Sequence, residues 1–238
     1  MGYTRAIKSG HQIEVWRYEK ECSNQAGVRS KRQSSKGLRR AIQRSSFSVR
    51  RARQSFIRIV TSNLVTTERP VFLTFTFADV VNYERGHQAY NKFLNRFRRF
   101  YGTKLRYITV PEFQKRGSLH FHMLVWGLPK HEIENERSNR KIQHLWSHGF
   151  VDCLQTDGSP KLAGYMAKYM SKAMSDTRLL GKQAFKCSRN VLRPVLFKTA
   201  EIVDFVLDDL PVDNSHTITR EFDTKWLGRC LYKKLVIK

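Results

Sequence analysis

The sequence predicts an α+β fold, an antiparallel sheet with helices on one face. Three observations carry that expectation. Val71-Phe-Leu-Thr-Phe-Thr-Phe77 is almost wholly aromatic and β-branched, the signature of a strand. Leu105 to Val110 and Leu119 to Trp126 are two further strand-like runs, with a turn at Lys115-Arg-Gly-Ser118 between them, so they read as a hairpin. Between and after these runs the apolar spacing changes from two to about 3.6 residues, the period of a buried helical stripe.

Taken in order, the elements are these. From Arg29 to Arg58 there are eleven Lys and Arg and no acidic residue, and after Glu21 the next acid is Glu68. The Ser-, Gly- and Gln-rich early part of this stretch reads as a flexible arm. From about Ser48 to Leu64, Val49, Phe56, Ile59, Val60 and Leu64 line one side of a basic helix. Pro70 precedes the first strand. Gly86 to Tyr101 reads as a helix, with Tyr90, Phe93, Leu94, Phe97 and Tyr101 on one side, Lys92, Arg96, Arg98 and Arg99 on the other, and Gly102 as its stop. The second strand closes at Pro111, and the third at Gly127-Leu-Pro129. A charged helix is expected from about Glu132 to Trp146, then a short strand from Phe150 to Leu154. Asp157-Gly-Ser-Pro160 opens the last helix, with Ser159 as N-cap and Pro160 at the first helical position; that helix runs to about Met174. The order β-α-β-β-α-β is the split-βαβ, ferredoxin-like arrangement. Ala184 to Thr199 reads as extended, Glu201 to Asp213 is locally acidic, and the last sixty or so residues carry little signal. The expected organisation is a basic arm at 1–47, a folded domain at 48–175 that begins with the basic helix, and a C-terminal extension at 176–238.

Charge is the outlier of the composition. The chain has 238 residues, 44 Lys and Arg against 20 Asp and Glu, and a formal net charge of +24. Such an excess repels itself unless a polyanion neutralises it, so nucleic acid is the expected partner. Arg39, Arg40, Arg50, Arg51, Arg53, Lys115 and Arg116 are the expected phosphate contacts. No apolar run is long enough for a membrane span. Met-Gly-Tyr-Thr-Arg-Ala carries no secretory core and lacks the Ser or Thr of a myristoylation signal. The four cysteines, Cys22, Cys153, Cys187 and Cys230, are scattered without a C-x-x-C pair, which argues for reduced thiols in a cytosolic or nuclear setting.

Two short segments carry the chemistry. In Glu112-Phe-Gln-Lys-Arg-Gly-Ser-Leu-His120-Phe-His122, period two sends both histidines to one face of a strand. A Glu112 on the neighbouring hairpin strand would complete a set of two imidazoles and a carboxylate. That set suits Mn²⁺, or Mg²⁺ with water and phosphate oxygens; Zn²⁺ accepts it as well. H-x-H alone is a weak signal in a chain with eight histidines. In Tyr165-Met-Ala-Lys168-Tyr169-Met-Ser-Lys172, the two tyrosines are four apart and share a helix side, and each lysine follows a tyrosine by three. About one free tyrosine in a thousand is phenolate at pH 7, so nearby ammonium groups matter. Met166, Met170 and Met174 form the complementary apolar stripe.

Together these segments resemble the HUH endonucleases, specifically the rolling-circle replication initiators of small phages, plasmids and circular single-stranded DNA viruses. Phe72 to Phe77 is similar to the family's first strand motif. His120-Phe-His122 is similar to its His-hydrophobe-His motif, and Glu112 stands where the family often places a third metal ligand. The doubled Tyr-x-x-Lys of Tyr165 to Lys172 looks like the paired-tyrosine motif of microvirus-type initiators, and Trp146 to Val151 like the segment before the last strand. The resemblance covers roughly residues 48 to 195. It implies a cytoplasmic enzyme that binds an origin as single-stranded or hairpin DNA, with Mg²⁺ or Mn²⁺ held by Glu112, His120 and His122. Tyr169, alternating with Tyr165 and assisted by Lys168 and Lys172, would form a 5′-phosphotyrosine and free a 3′-OH. The sequence contains no G-x-x-x-x-G-K-[ST], so a host helicase and polymerase are the expected partners. A paired-tyrosine transposase would use the same chemistry. A non-catalytic basic module, stacking bases on Phe75 and Phe77, is the alternative of another class; it leaves the Glu112, His120, His122 spacing without a purpose.

Overall fold

The computed structural model describes residues 2–21, 46–66, 68–102, 104–129, 136–179, 181–208 and 211–237. The strands are β1 (Thr4–Ser9), β2 (Gln12–Tyr18), β3 (Val71–Phe77), β4 (Arg106–Phe113), β5 (Leu119–Trp126), β6 (Gly149–Gln155), β7 (Lys186–Cys187), β8 (Val195–Phe197), β9 (Val212–Thr224) and β10 (Gly228–Ile237). The helices are α1 (Ser46–Asn63), α2 (Tyr83–Tyr101), α3 (Glu136–Trp146), α4 (Lys161–Ser175) and α5 (Ala200–Asp208). They form two compact units, Ala41–Leu192 and a second made of Met1–Arg40 with Arg193–Lys238. Each unit has a five-stranded sheet of antiparallel pairs.

In the unit Ala41–Leu192 the strand order is β6-β3-β5-β4-β7, so β5 lies between the two strands that α2 connects. Helices cover both faces of this sheet, where the sequence pointed to one. α2 and α3 bury Tyr90, Phe93, Phe97, Ile142 and Trp146 against Leu73, Phe75, Phe121 and Met123. α1 and α4 bury Phe56, Val60, Met166 and Met170 against Phe72, Ile108, Val110, Leu124 and Trp126. The reason lies in β5, which is buried at every position. Leu119, Phe121, Met123 and Val125 line one face, and Leu124 and Trp126 stand beside His120 and His122 on the other, so both faces carry large apolar side chains that need cover.

On the α2 face, aromatic rings fill the core: Tyr90 and Phe121 stack at 4.1 Å, Phe75 and Phe93 lie 4.6 Å apart, and Phe77 meets Trp146 at 4.8 Å. The Trp146 indole N–H donates to the Thr76 carbonyl at 3.0 Å, and the Tyr90 and Thr109 hydroxyls pair at 2.6 Å, so the polar tips of these large residues are satisfied. Each fully buried ring contributes about 1.5–3 kcal/mol.

Element ends differ from expectation in instructive ways. α2 starts three residues early because the Asn82 side chain caps it, accepting from the Arg85 N–H at 3.0 Å. β4 continues through Pro111 to Phe113. Proline is tolerated there because β7 reaches only Ile108 and Thr109, leaving that edge of β4 open. Pro160, expected at the first helical position of α4, is its N-cap, and no side chain caps that end; the Asp157 carboxylate instead accepts from the Ser159 N–H at 2.8 Å.

The second unit orders its strands β8-β1-β2-β10-β9. α5 seats Val203 on Ala6, Ile13, Val15, Leu235 and Ile237, and Arg17 pairs with Asp204 at 2.5 Å. The expected flexible arm therefore begins with two strands. Residues 22–45, including Cys22, Arg39 and Arg40, lie outside the described residues. Among the described residues no helix is long and apolar enough to cross a membrane, and no disulfide joins Cys153, Cys187 or Cys230.

Candidate active site

The β4–β5 hairpin sets the register on which the site depends. The Gln114 N–H donates to the Ser118 carbonyl at 2.9 Å, and the Gly117 N–H returns to the Gln114 carbonyl at 2.9 Å. Gly117 holds φ at 87°, a conformation that costs a residue with a Cβ. The turn leaves Glu112 directly opposite His120, and Val110 opposite His122. Antiparallel neighbours share a face, so both imidazoles and the carboxylate stand on the side of the sheet that α4 covers.

β3 supplies the supports on the other side of β5. Thr74 pairs with His122 and Thr76 with His120 in the ladder. Their hydroxyls contact the imidazole Nδ1 atoms at 3.3 Å and 3.4 Å respectively. These contacts orient the rings with Nε2 directed away from β3. His122 Nε2 meets Glu112 Oε2 at 2.7 Å, and the other carboxylate oxygen accepts from Lys172 Nζ at 2.9 Å. His120 Nε2 is buried and has no hydrogen-bond partner. Neither threonine was singled out from the sequence, although period two along Phe72-Leu-Thr-Phe-Thr-Phe77 puts Phe72, Thr74 and Thr76 on one face.

α4 brings the tyrosines. Leu162, Ala163, Met166, Ala167, Met170, Ala173 and Met174 are its buried stripe, and that stripe fixes the helix rotation. Tyr169 falls at the stripe's edge, and its ring stacks on His122 with centroids 3.8 Å apart. Phe72 lies beneath them, 5.8 Å from His122, 6.0 Å from Tyr169 and 5.6 Å from Tyr165. The two phenol oxygens are 2.6 Å apart. Lys172 Nζ is 5.7 Å from the Tyr169 ring.

Glu112, His122, Tyr169 and Lys172 thus border one cleft of about 770 Å³, together with Lys115, Arg116, Ser175 and Asp176. Arg116 also donates to the Phe77 carbonyl at 2.6 Å. Lys168 is exposed on α4 and does not border the cleft. Arg50, Arg51 and Arg53 are exposed on α1.

The electrostatics follow from burial and neighbours. Burial, then His122 and Arg116, lower the His120 pKa to about 4, so this imidazole is neutral at pH 7. For Glu112 burial opposes ionisation, but the hydrogen bonds of His122 and Lys172 outweigh it and hold the carboxyl below its ordinary value. Burial raises the Tyr169 phenol, and the Tyr165 hydrogen bond and the Glu112 charge raise it further.

Among the described residues no three His, Cys, Asp or Glu side chains converge on one point as a finished metal centre. The His120 and His122 ring centroids are 6.5 Å apart, and the Glu112 oxygens are engaged with His122 and Lys172. The residues nonetheless fit a divalent ion: one imidazole is neutral, buried and unpartnered at Nε2, and an ionised carboxylate stands on the paired strand.

Residues 70–174 match a family model, that of the replication-associated protein ORF2/G2P. The match runs from the start of β3 to the end of α4, so it takes in Glu112, both histidines and both tyrosines. It supports a replication-associated protein of the rolling-circle type for this segment. No curated protein and no solved structure matches the chain.

Proposed function

We propose that the protein is a replication initiator that nicks and rejoins single-stranded DNA at a rolling-circle origin through a tyrosine, as an HUH endonuclease of the paired-tyrosine type. One observation carries the reading: α4 packs so that Tyr169 stacks on His122 and shares a cleft with Glu112 and Lys172. A non-catalytic module has no use for that convergence. The placement of β5 between β3 and β4 is the strand order of a split βαβ, and the family match supplies the link to replication.

Glu112, His120 and His122 would hold Mg²⁺ or Mn²⁺, which when bound supplies Lewis-acid polarisation of the scissile phosphate. The chain's own groups do the rest. Lys115 and Arg116 hold the strand by its phosphates at the cleft. The Tyr169 oxygen attacks phosphorus and the P–O3′ bond breaks. The 5′ side stays on the enzyme as a phosphotyrosine ester, and the 3′ oxygen takes up a proton and leaves as a hydroxyl. The phenol proton passes along the hydrogen bond to the Tyr165 hydroxyl and from there to water. Lys172 places positive charge near the phenolate and the developing phosphorane, an electrostatic role that Lys168 does not share. Because the ester conserves the phosphodiester energy, attack by a 3′-OH later rejoins the strand. Tyr165 then serves as the alternate nucleophile. A host helicase and polymerase in the cytoplasm would complete the cycle.

The test is adduct formation with a pool of single-stranded oligonucleotides and Mn²⁺, followed by mapping of the modified tyrosine. Tyr165→Phe/Tyr169→Phe should form no covalent adduct while still binding DNA, and Tyr169→Phe alone should lose the first adduct. Adducts that persist in the double variant would remove both phenols from the mechanism.

A further inference from the structure

The outer strand of the same sheet carries a second feature. Among the described residues β6 pairs with β3 alone and forms an edge of the sheet. Its register sets Phe150 opposite Thr76, Asp152 opposite Thr74 and Leu154 opposite Phe72. These three therefore stand on the sheet face that bears His120 and His122. Each is one strand from a residue that touches the candidate site, since Thr76 contacts His120, Thr74 contacts His122, and Phe72 packs on both tyrosines. They are nevertheless uncovered: Phe150 is 62% exposed and Leu154 55% exposed, and Asp152 is exposed between them.

The exposure is built in. The Gln143 side chain of α3 donates to the Gly149 carbonyl and accepts from the Val151 N–H at 2.7 Å, bracing the backbone on both sides of Phe150. Among the described residues no helix covers this part of the face, which leaves a large ring on a braced edge strand open to an occupant. The charge pattern identifies it. Of the cations of the cleft, Lys115 and Lys172 lie toward β4, Lys172 on the Glu112 carboxylate at 2.9 Å, while Arg116 reaches across to the Phe77 carbonyl at the end of β3; β6 lies beyond β3. The exposed face of β6 offers no cation and one carboxylate, which repels phosphate. A nucleic-acid strand crossing the site would keep its backbone on the β4 side and turn its bases toward β6.

The geometry points to Phe150, Asp152 and Leu154 as a base-contacting platform for the single strand next to the scissile phosphate. Phe150 stacks a base, Leu154 packs beside it, and the Asp152 carboxylate accepts a hydrogen bond from an exocyclic amine, which favours cytosine over thymine at that position. The strip spans about 13 Å at the usual rise of a strand, room for a short run of unstacked nucleotides. This inference rests on the proposed single-stranded DNA substrate and adds the residues that would read its sequence.

The test pairs protein variants with altered bases. Fluorescein-labelled single strands selected from a random pool by wild-type binding are remade with one abasic position at a time, and affinities are measured for wild type, Phe150→Ala and Asp152→Asn. One abasic position should weaken wild-type binding roughly tenfold, and Phe150→Ala should weaken intact DNA by a similar factor while becoming indifferent to that position. Asp152→Asn should lose the cytosine preference at a nearby position with an unchanged salt slope. Phe150→Ala that binds as wild type, or that still loses tenfold at every abasic position the wild type senses, would overturn the platform. So would a change in sedimentation of Phe150→Ala without a change in DNA affinity, which would make the strip a contact between copies of the chain. Adduct assays run in parallel separate the two ideas. Base coupling without adducts retains the platform and removes the nickase; adducts without base coupling do the reverse.

Discussion

Glu112→Gln separates the chemical role of the carboxylate from its structural one. Glu112 makes two contacts, one to His122 at 2.7 Å and one to Lys172 at 2.9 Å. A hydrogen bond to a charged group is worth about 1.5–3 kcal/mol, but the amide keeps the shape and one acceptor oxygen, so only part of the His122 contact is lost. Lys172 has a side-chain exposure of 66% and rehydrates when released, which limits its share to roughly 0–1 kcal/mol. The expected stability loss is about 1–2 kcal/mol, a fall in Tm of roughly 3–6 °C. The loss in DNA cleavage should be far larger, on the order of 10²-fold or more, because the neutral amide removes the charge from the donor set. Single-stranded DNA affinity should hold or rise, since a negative charge is removed from a phosphate-binding cleft. Differential scanning fluorimetry, adduct formation and fluorescence anisotropy read the three quantities. Cleavage at the wild-type rate would refute the role of Glu112, and a collapse in Tm with DNA binding lost would make it a structural residue.

Three further outcomes are expected in the same unit. An added Cβ at Gly149 (φ 148°) would run into the Thr76 carbonyl oxygen, with the Ala78 nitrogen 2.5 Å away, so Gly149→Ala should cost about 3 kcal/mol or more. Gly164 of α4 has open space around it, so the same exchange there should stabilise by about 0.5–1 kcal/mol; thermal melts of the two variants must move in opposite directions. Lys115→Gln should reduce the slope of log affinity against log salt by about 0.7 on single strands, and an unchanged slope would take Lys115 off the phosphate path.

The sequence made the hairpin and its consequences legible because the signals are local. Turn chemistry at Lys115-Arg-Gly-Ser118 and period two along His120-Phe-His122 determine which side chains meet, and the structure pairs Glu112 with His120. The helix periods of α2 and α4 were legible for the same reason. The second helical layer was not, because the second face of β5 mixes His120 and His122 with Leu124 and Trp126, and such a run does not report which helices cover it. The second sheet was hidden by distance: β2 pairs with β10, whose Tyr232 lies opposite Trp16, and neither strand carries a local sign of a partner some two hundred residues away. An N-terminal deletion of residues 1–47 is consequently a poor probe of the basic arm, since it removes β1 and β2 from that sheet along with the charges.

The doubled Tyr-x-x-Lys pattern looked symmetrical, and packing removes the symmetry. A helix turns about 100° per residue, so positions four apart differ by some 40° around the axis. The buried stripe of α4 centres on Met166, Met170 and Ala173, and that offset carries Tyr169 inward to stack on His122 while Tyr165 remains more exposed. The same rotation separates the lysines. Lys172 reaches the Glu112 carboxylate at 2.9 Å, whereas Lys168, one turn earlier, is exposed and borders no part of the cleft. Two chemically equal Tyr-Lys pairs therefore become one pair seated on the histidine strand and one beside it. The apolar stripe that a cautious reading assigns to the core alone is what aims the phenols, so stripe and site are one device: a change at Met166 or Met170 that rotates α4 would move Tyr169 off His122 without touching a single polar group.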